Sequence, residues 1–450
     1  MSSIITTNFS TVIAQQFINL LDIAANSYLP VDRKSYMFVT IGKQTTWNAN
    51  DTPPTTPGQS TRDLIGYSDR AIVAKRLSLD NVSFVVPRYD WVANTVYSQY
   101  GCTTCSLGTP YYVLNNKNQV FKCLDNNSDA PSTDQPELLL STTSLEEPYF
   151  LTADGYKWKY LYTISSDQKQ KFLNAEWMPV FYNRFVRAAA INRSIDIIRL
   201  TNSGNNYVDG SSQEIITIQG DGRNAILKAN VVDGQVTEIL IQNRGEDYTK
   251  ANLIFTDVTG GVGSGASANV VLSPQNGHGF DPVEELYANT VMFNVDFFDD
   301  EGGLFPAENE FREITLVKNP YEYGTITLAD ENLYRMYSTI LVSSGVGDYN
   351  NDEIVFQGES LETSTFSAEV ISFDENTSTI FVNNLRGTFS PNQPIKGLTS
   401  GAIRIGLNRT PPNLELYTGK VLFVSNKVPV TRDPDQTDRI RFILSFWKEE

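Results

Sequence analysis

Between Asp154 and Ile164 the chain sets Tyr156, Trp158, Tyr160 and Tyr162 at every second position, between Lys157, Lys159, Leu161 and Thr163. Successive side chains of a strand point to opposite faces, so this alternation predicts a β-strand with one large aromatic face. Each ring can bury roughly 150–250 Å². Four on one face predict a strand at the centre of a sheet core. The Asp154-Gly155 pair just ahead of it reads as a turn.

The same pattern, traced along the chain, predicts one helix and many strands. Phe9, Ile13, Phe17, Leu20, Leu21 and Ala24 fall on one face at helical spacing, predicting a helix over 9–27 with Ser10 or Thr11 as its cap. Residues 35–42 read as a strand and 48–60 as a polar, proline-rich loop. Residues 71–91 alternate, and 111–124 read as a hairpin turning at Asn115-Asn116. Later strands are predicted at 287–295, 311–317, 419–424 and 439–446, the last preceded by the acidic turn Asp433–Asp438.

From Arg193 an internal repeat appears. The segment Ile198 to Tyr207, with Asn202, Gly204 and Tyr207, recurs 41 positions later as Ile239 to Tyr248, with Asn243, Gly245 and Tyr248. Ala229-Asn230-Val231-Val232 recurs as Ala268-Asn269-Val270-Val271 at an offset of 39. Two such units can stack to bury a shared face. A weaker third echo runs from Ile340 through Gly345 to Tyr349. The expected fold is therefore mainly β: a multi-domain, β-sandwich-like core with an N-terminal helix and two inserted small β modules. The expected segments are 1–192 (core with helix and aromatic strand), 193–278 (β-repeat module), 279–335 (core strands), 336–412 (second β module) and 413–450 (terminal core strands).

Composition narrows the function classes. At 450 residues, 40% hydrophobic, the chain has material for several cores. A net charge of −17 argues against nucleic acid, whose phosphates call for a basic footprint. The charge is uneven: residues 155–199 carry eight Lys or Arg against three acids, and 281–313 carry ten acids against Arg312 alone. This reads either as solvated faces or as complementary docking surfaces within an assembly. The start lacks the basic n-region of a signal peptide. No apolar run reaches the ~20 residues that span a bilayer, so no membrane partner is expected. Three cysteines are too few for a disulfide framework, which fits assembly in a cytoplasm.

Candidate chemistry is sparse. Cys102 and Cys105 have C-x-x-C spacing and Cys123 offers a third thiolate, but a structural zinc takes four ligands. The single histidine, His278, lies far along the chain in a Gly-rich turn read as flexible, so these thiols read as buried or idle. Gly260–Gly265 lacks the Lys-Ser/Thr of a phosphate loop and reads as a turn. Asp296, Asp299, Asp300 and Glu301 lack calcium-loop spacing and read as a solvated turn. No nucleophile elbow or Ser/His/Asp arrangement is present. The reading carries no catalytic residue, no metal, no cofactor and no small-molecule substrate.

The landmarks in order bring a family into view. They are the helix followed by Phe38–Gly42 and Trp47, then Val86-Pro87-Arg88-Tyr89-Asp90-Trp91, Phe121–Asp125 and Asp154–Leu161. After these come Ala288–Val291, Phe311–Ile314 with Asn319-Pro320, and Asp435-Gln436-Thr437 before the terminal strand. In this order the chain resembles the gene-product-eight baseplate wedge subunits of T-even-like contractile-tailed bacteriophages. The resemblance covers roughly 1–192, 279–335 and 413–450, leaving 193–278 and 336–412 as insertions. It implies a virion structural protein that is mainly β, homodimeric, and placed between neighbouring wedge proteins during tail assembly. Two other classes stay open: a receptor- or carbohydrate-binding tail protein, and a tail-associated glycan hydrolase with paired carboxylates.

Overall fold

The computed structural model describes residues 6–25, 35–101, 110–139, 145–306, 309–433 and 435–446. Cys102 and Cys105 lie outside them. The protein is mainly β, with 45% of residues in strands and 10% in helices, in several sheets with an N-terminal helix. The chain divides into two compact units: Met1–Ala14, Ser83–Met292 and Ile443–Glu450 form one, Gln15–Val82 and Phe293–Phe442 the other.

The N-terminal helix spans Thr7–Ala25, starting earlier than the apolar stripe predicts. Ser10 and Thr11 lie inside it and are buried, and Thr6 Oγ1 faces the Phe9 amide at 3.4 Å instead. The buried face carries Ser10, Ala14 and Leu21, while Phe9, Val12 and Ile13 are exposed.

In the first unit, a four-stranded antiparallel sheet orders Tyr112–Leu114, Gln119–Asp125, Lys157–Thr163 and Phe150–Leu151. The predicted hairpin is there, its turn closed by Asn115, whose Oδ1 accepts from the amides of Lys117 and Gln119, both at 2.9 Å. Trp158 is fully buried, stacked on Tyr156 at 5.4 Å and met edge-on by Tyr97 at 5.6 Å. The aromatic strand is core.

Its four rings do not share one face. Val120 pairs with Tyr162 but its neighbour Phe121 pairs with Tyr160, so Leu161 is an extra residue on the aromatic strand. Such a bulge shifts the alternation by one and sends the next side chains to the other side. Tyr156, Trp158 and Tyr160 pack with Phe121 and Tyr97, whereas Leu161, Tyr162 and Ile164 pack with Met178 and Val180. With both faces covered, Lys159 and Lys122 are buried too.

The repeats at 193–278 interleave. Ile195–Asn205, from the first, pairs with Ser264–Leu272, from the second. Gln235–Glu246, opening the second, pairs back on Arg223–Val232, closing the first. The Asp233-Gly234 link has φ of 52° and 72°, the doubly positive geometry of a tight hairpin turn. The repeat motif is realised twice over. Gly204 and Gly245 have φ of 64° and 63°, and Asn202 and Asn243 accept their amides at 2.9 and 3.0 Å. Tyr207 of the first repeat lies against Gly263 of the second, and Tyr248 of the second against Gly222 of the first. A Cβ at either glycine would run into the ring.

In the second unit, a five-stranded sheet orders Leu333–Arg335, Ala71–Arg76, Met37–Gly42, Glu310–Lys318 and Lys420–Thr431. Met37–Gly42 is buried at every position, which is why its sequence runs apolar without alternation. Residues 338–410 close into a six-stranded antiparallel barrel around Ile340, Val355, Phe366, Val370, Ile380 and Val382. The third echo falls in this barrel without reproducing the repeat. Gly345 has no positive φ, the left-handed position passes to Gly347 at 73°, and the Tyr349 hydroxyl donates to the Ile395 carbonyl at 3.0 Å.

Candidate functional site

Among the described residues, a group of perturbed ionisable side chains lies in the first unit at the end of the 193–278 segment. Lys122 comes from the Gln119–Asp125 strand, between Phe121 and Cys123. Glu285 ends the short helix Pro282–Glu285, which Asp281 caps by accepting from the Val283 amide at 3.0 Å. His278 sits between Gly277 and Gly279, whose φ of 95° and 81° favour glycine. A side chain at 277 would meet the Ile191 backbone, and one at 279 would meet Val186. These glycines tuck the turn inward. The turn at His278 is there as expected, but its imidazole is buried rather than loose in solvent.

The Lys122 ammonium pairs with Glu285 Oε2, and His278 Nδ1 stands 3.5 Å from the same oxygen. That is long for a hydrogen bond, and Nδ1 has no other partner. Glu285 Oε1 accepts the Gly279 amide at 2.5 Å, and its backbone carbonyl accepts the Tyr111 hydroxyl at 2.9 Å. The Tyr100 ring lies 4.4 Å from the Lys122 ammonium and 4.8 Å, edge-on, from the imidazole. Side-chain exposures are 0% for Lys122, 3% for His278 and 4% for Glu285, which leaves no opening for a substrate.

Burial lowers the His278 pKa to about 4, with the Lys122 charge adding to the effect, so the imidazole is neutral near pH 7. Burial alone would raise Glu285, but the Lys122 charge and the His278 contact outweigh it and hold the carboxyl near 2. Burial pulls Lys122 below its ordinary value, opposed by Glu285. Glu285 is therefore a carboxylate at neutral pH.

Around this core, Asp196 accepts from Ser194 Oγ at 2.6 Å and faces Arg244 at 3.4 Å. Lys159 donates to the Glu147 carbonyl at 2.7 Å, and burial lowers its pKa to about 8. Arg199, on the first repeat strand, donates to the Leu124 carbonyl at 2.7 Å. The Arg199 bond ties the repeat segment to the Gln119–Asp125 strand.

The other sequence candidates disperse. Asp296 pairs with Arg439 at 2.7 Å, Glu301 with Lys75 at 2.5 Å, and Asp300 accepts the Gly302 amide at 2.9 Å. Gly263 of the glycine-rich turn serves as the seat of Tyr207. Cys123 is fully buried, and burial pushes its thiol up, away from a reactive thiolate. Among the described residues no three His, Cys, Asp or Glu side chains are grouped to hold a metal, and no helix is long and apolar enough to cross a membrane.

The second unit has its own ties. Arg312, nearly sealed, is held by Asp51 and Glu310, and Arg432 by Asp438, with its guanidinium 3.6 Å from the Phe305 ring. A half-open hollow of about 410 Å³ lies beside Gln357, Ser390 and Lys396 of the barrel. In its lining Gln357 spans to both backbone groups of Ser390, and Lys396 donates to the Gly358 carbonyl.

Sequence reasoning passed over Lys122, Glu285 and the burial of His278. A lysine between Phe121 and Cys123 in an apolar strand was the available signal; its partner lies 163 residues away. No family model matches the sequence, and no curated protein matches it.

Proposed function

We propose that this chain is a structural subunit of a phage tail baseplate wedge, a non-enzymatic homodimer that bridges neighbouring wedge proteins as the tail assembles in the host. The ordered resemblance across 1–192, 279–335 and 413–450 names the class. One observation carries the reading beyond that likeness. The ionisable groups brought together at Lys122, Glu285 and His278 are closed inside the protein as ties between elements. A catalytic constellation needs an open side, and a scaffold needs internal ties. The test is sedimentation of the purified chain at micromolar concentration, followed by mixing with purified wedge proteins of a contractile-tailed phage. A dimer that joins the wedge complex is the expected result; a monomer that stays out of it counts against the proposal. Polysaccharide hydrolysis abolished by one carboxylate substitution would replace it with the hydrolase reading.

A further inference from the structure

The short helix Arg184–Ala188 carries a surface that nothing in the core explains. Tyr182 is 60% exposed and Phe185 52% exposed. Large exposed rings are costly to leave in water and mark contact sites when they cluster. Here they cluster with arginine. The Arg187 guanidinium lies over the Tyr182 ring at 5.0 Å and over that of Phe280 at 4.4 Å, and Arg184 lies over Phe185 at 4.6 Å.

These arginines differ from those of the ties described above. Arg312, Arg432 and Arg439 each meet a carboxylate. Arg184 and Arg187 make no ion pair and no side-chain hydrogen bond among the described residues. A guanidinium held over aromatic rings without an anionic partner keeps N–H donors for a carboxylate, which can accept two hydrogen bonds from it.

The surface is also held in place. Val186, in the middle of the helix, is fully buried against the aromatic cluster of Trp158. Asn183 caps the helix by accepting from the amides of Phe185 and Val186 at 2.9 and 3.3 Å. A rigid face loses little conformational entropy when it binds.

We infer that Tyr182, Arg184, Phe185 and Arg187 form a docking face for an acidic protein segment, with carboxylates for the arginines and an apolar side chain lying across the rings. Charge complementarity selects that occupant. Two free guanidiniums amid exposed aromatics match the Arg- and Tyr-rich composition of binding hot spots. The inference deepens the scaffold reading by naming a surface and the chemistry of its partner.

The experiment uses the full chain and a fluorescent peptide of two Glu-Asp-Phe-Glu-Asp-Leu repeats, followed by anisotropy. A control peptide replaces Glu and Asp by Gln and Asn. The expected result is binding of the acidic peptide alone, weakened as salt rises. The double variant Arg184→Glu with Arg187→Glu should weaken it at least ~30-fold, as loss of hot-spot arginines does. Lys250→Glu, on the exposed repeat segment, should leave it within about twofold. Unchanged urea midpoints show that the variants fold. Equal binding of both peptides, or no loss in the double variant, overturns the inference. So does a double variant that leaves peptide binding intact but abolishes self-association, which would assign the face to a second copy. Wedge assembly that survives while the peptide fails to bind would sink this inference and leave the scaffold reading standing.

Discussion

The barrel of residues 338–410 and the interleaved repeats of 193–278 are of similar length, yet they hide apolar surface to different depths. Eleven buried side chains form the barrel's core cluster, from Ile340 to Ala402, whereas the repeats gather five, from Tyr207 to Val236. Closure also leaves the barrel without an edge strand, while strands such as Ile216–Gly220 in the repeats have no fully buried position. A segment with so thin an interior leans on its attachment. That is where Lys122, Glu285, His278 and Asp196 are found. Buried charge seldom adds net stability over an apolar equivalent, but breaking one partner away is costly, so such ties fix an arrangement.

The largest expected effect comes from cutting the two segments out. Residues 336–412 expressed alone should unfold cooperatively in urea, and residues 193–278 alone should not. Cooperative unfolding of the isolated repeats would erase the contrast. Replacing 193–278 by a Gly/Ser linker should leave the remaining sheets cooperative, because loop closure grows only slowly with length; an insoluble product would show the repeats to be integral to the sheet.

Next come two substitutions of similar size but different origin. Phe366→Ala in the barrel should cost about 3–5 kcal/mol by emptying a large buried site. Lys122→Met should also cost about 3–5 kcal/mol, because it strands the Glu285 carboxylate without its cation. The sharpening test is Lys122→Met with Glu285→Leu, which should recover most of the second loss. Failure to recover would mean that shape rather than charge matters at this root.

A smaller effect is read by pH. His278 titrates near 4 in the folded chain against an ordinary 6.5, so between those values the unfolded chain binds the proton more readily. Stability is therefore intact above about 6.5 and falls as pH drops toward 4, by about 3 kcal/mol at ~1.4 kcal/mol per unit. His278→Gln should flatten urea midpoints across pH 6.5–4.5, above the range where Glu285 protonates. An unchanged slope would place the acid sensitivity elsewhere.

Smallest are the glycine seats. Gly222→Ala and Gly263→Ala each press on a tyrosine of the other repeat and should cost about 1–3 kcal/mol apiece by overpacking. Equal midpoint shifts are expected from the repeat; strongly unequal ones would show that one seat matters more.

Much of this was legible in the sequence where side chains are large and the period is regular. The aromatic strand, the 111–124 hairpin and the 41-residue repeat all announce themselves that way. What escaped depended on distant partners or on a single extra residue. The bulge at Leu161 moves Tyr162 to another face, and only its pairing with Val120 reveals it. The helix buries Ser10 and Ala14 rather than Phe9 because its surroundings, not its own stripe, set the face. The repeats show in sequence that two units exist, but not that each closes on the other. The Lys122 tie needed a residue 163 positions on.

That exchange of partners sets an order of events during synthesis. Ile195–Asn205 leaves the ribosome with its hydrogen-bonding edge bare, and its partner Ser264–Leu272 is still some 60 residues from being made. At about 5–20 residues per second, the wait lasts roughly 3–12 s. Lys122 waits longer for Glu285. Until Leu272 emerges the nascent chain holds an unpaired strand, and until Glu285 emerges Lys122 lacks its carboxylate, which makes this the interval when a chaperone has most to protect.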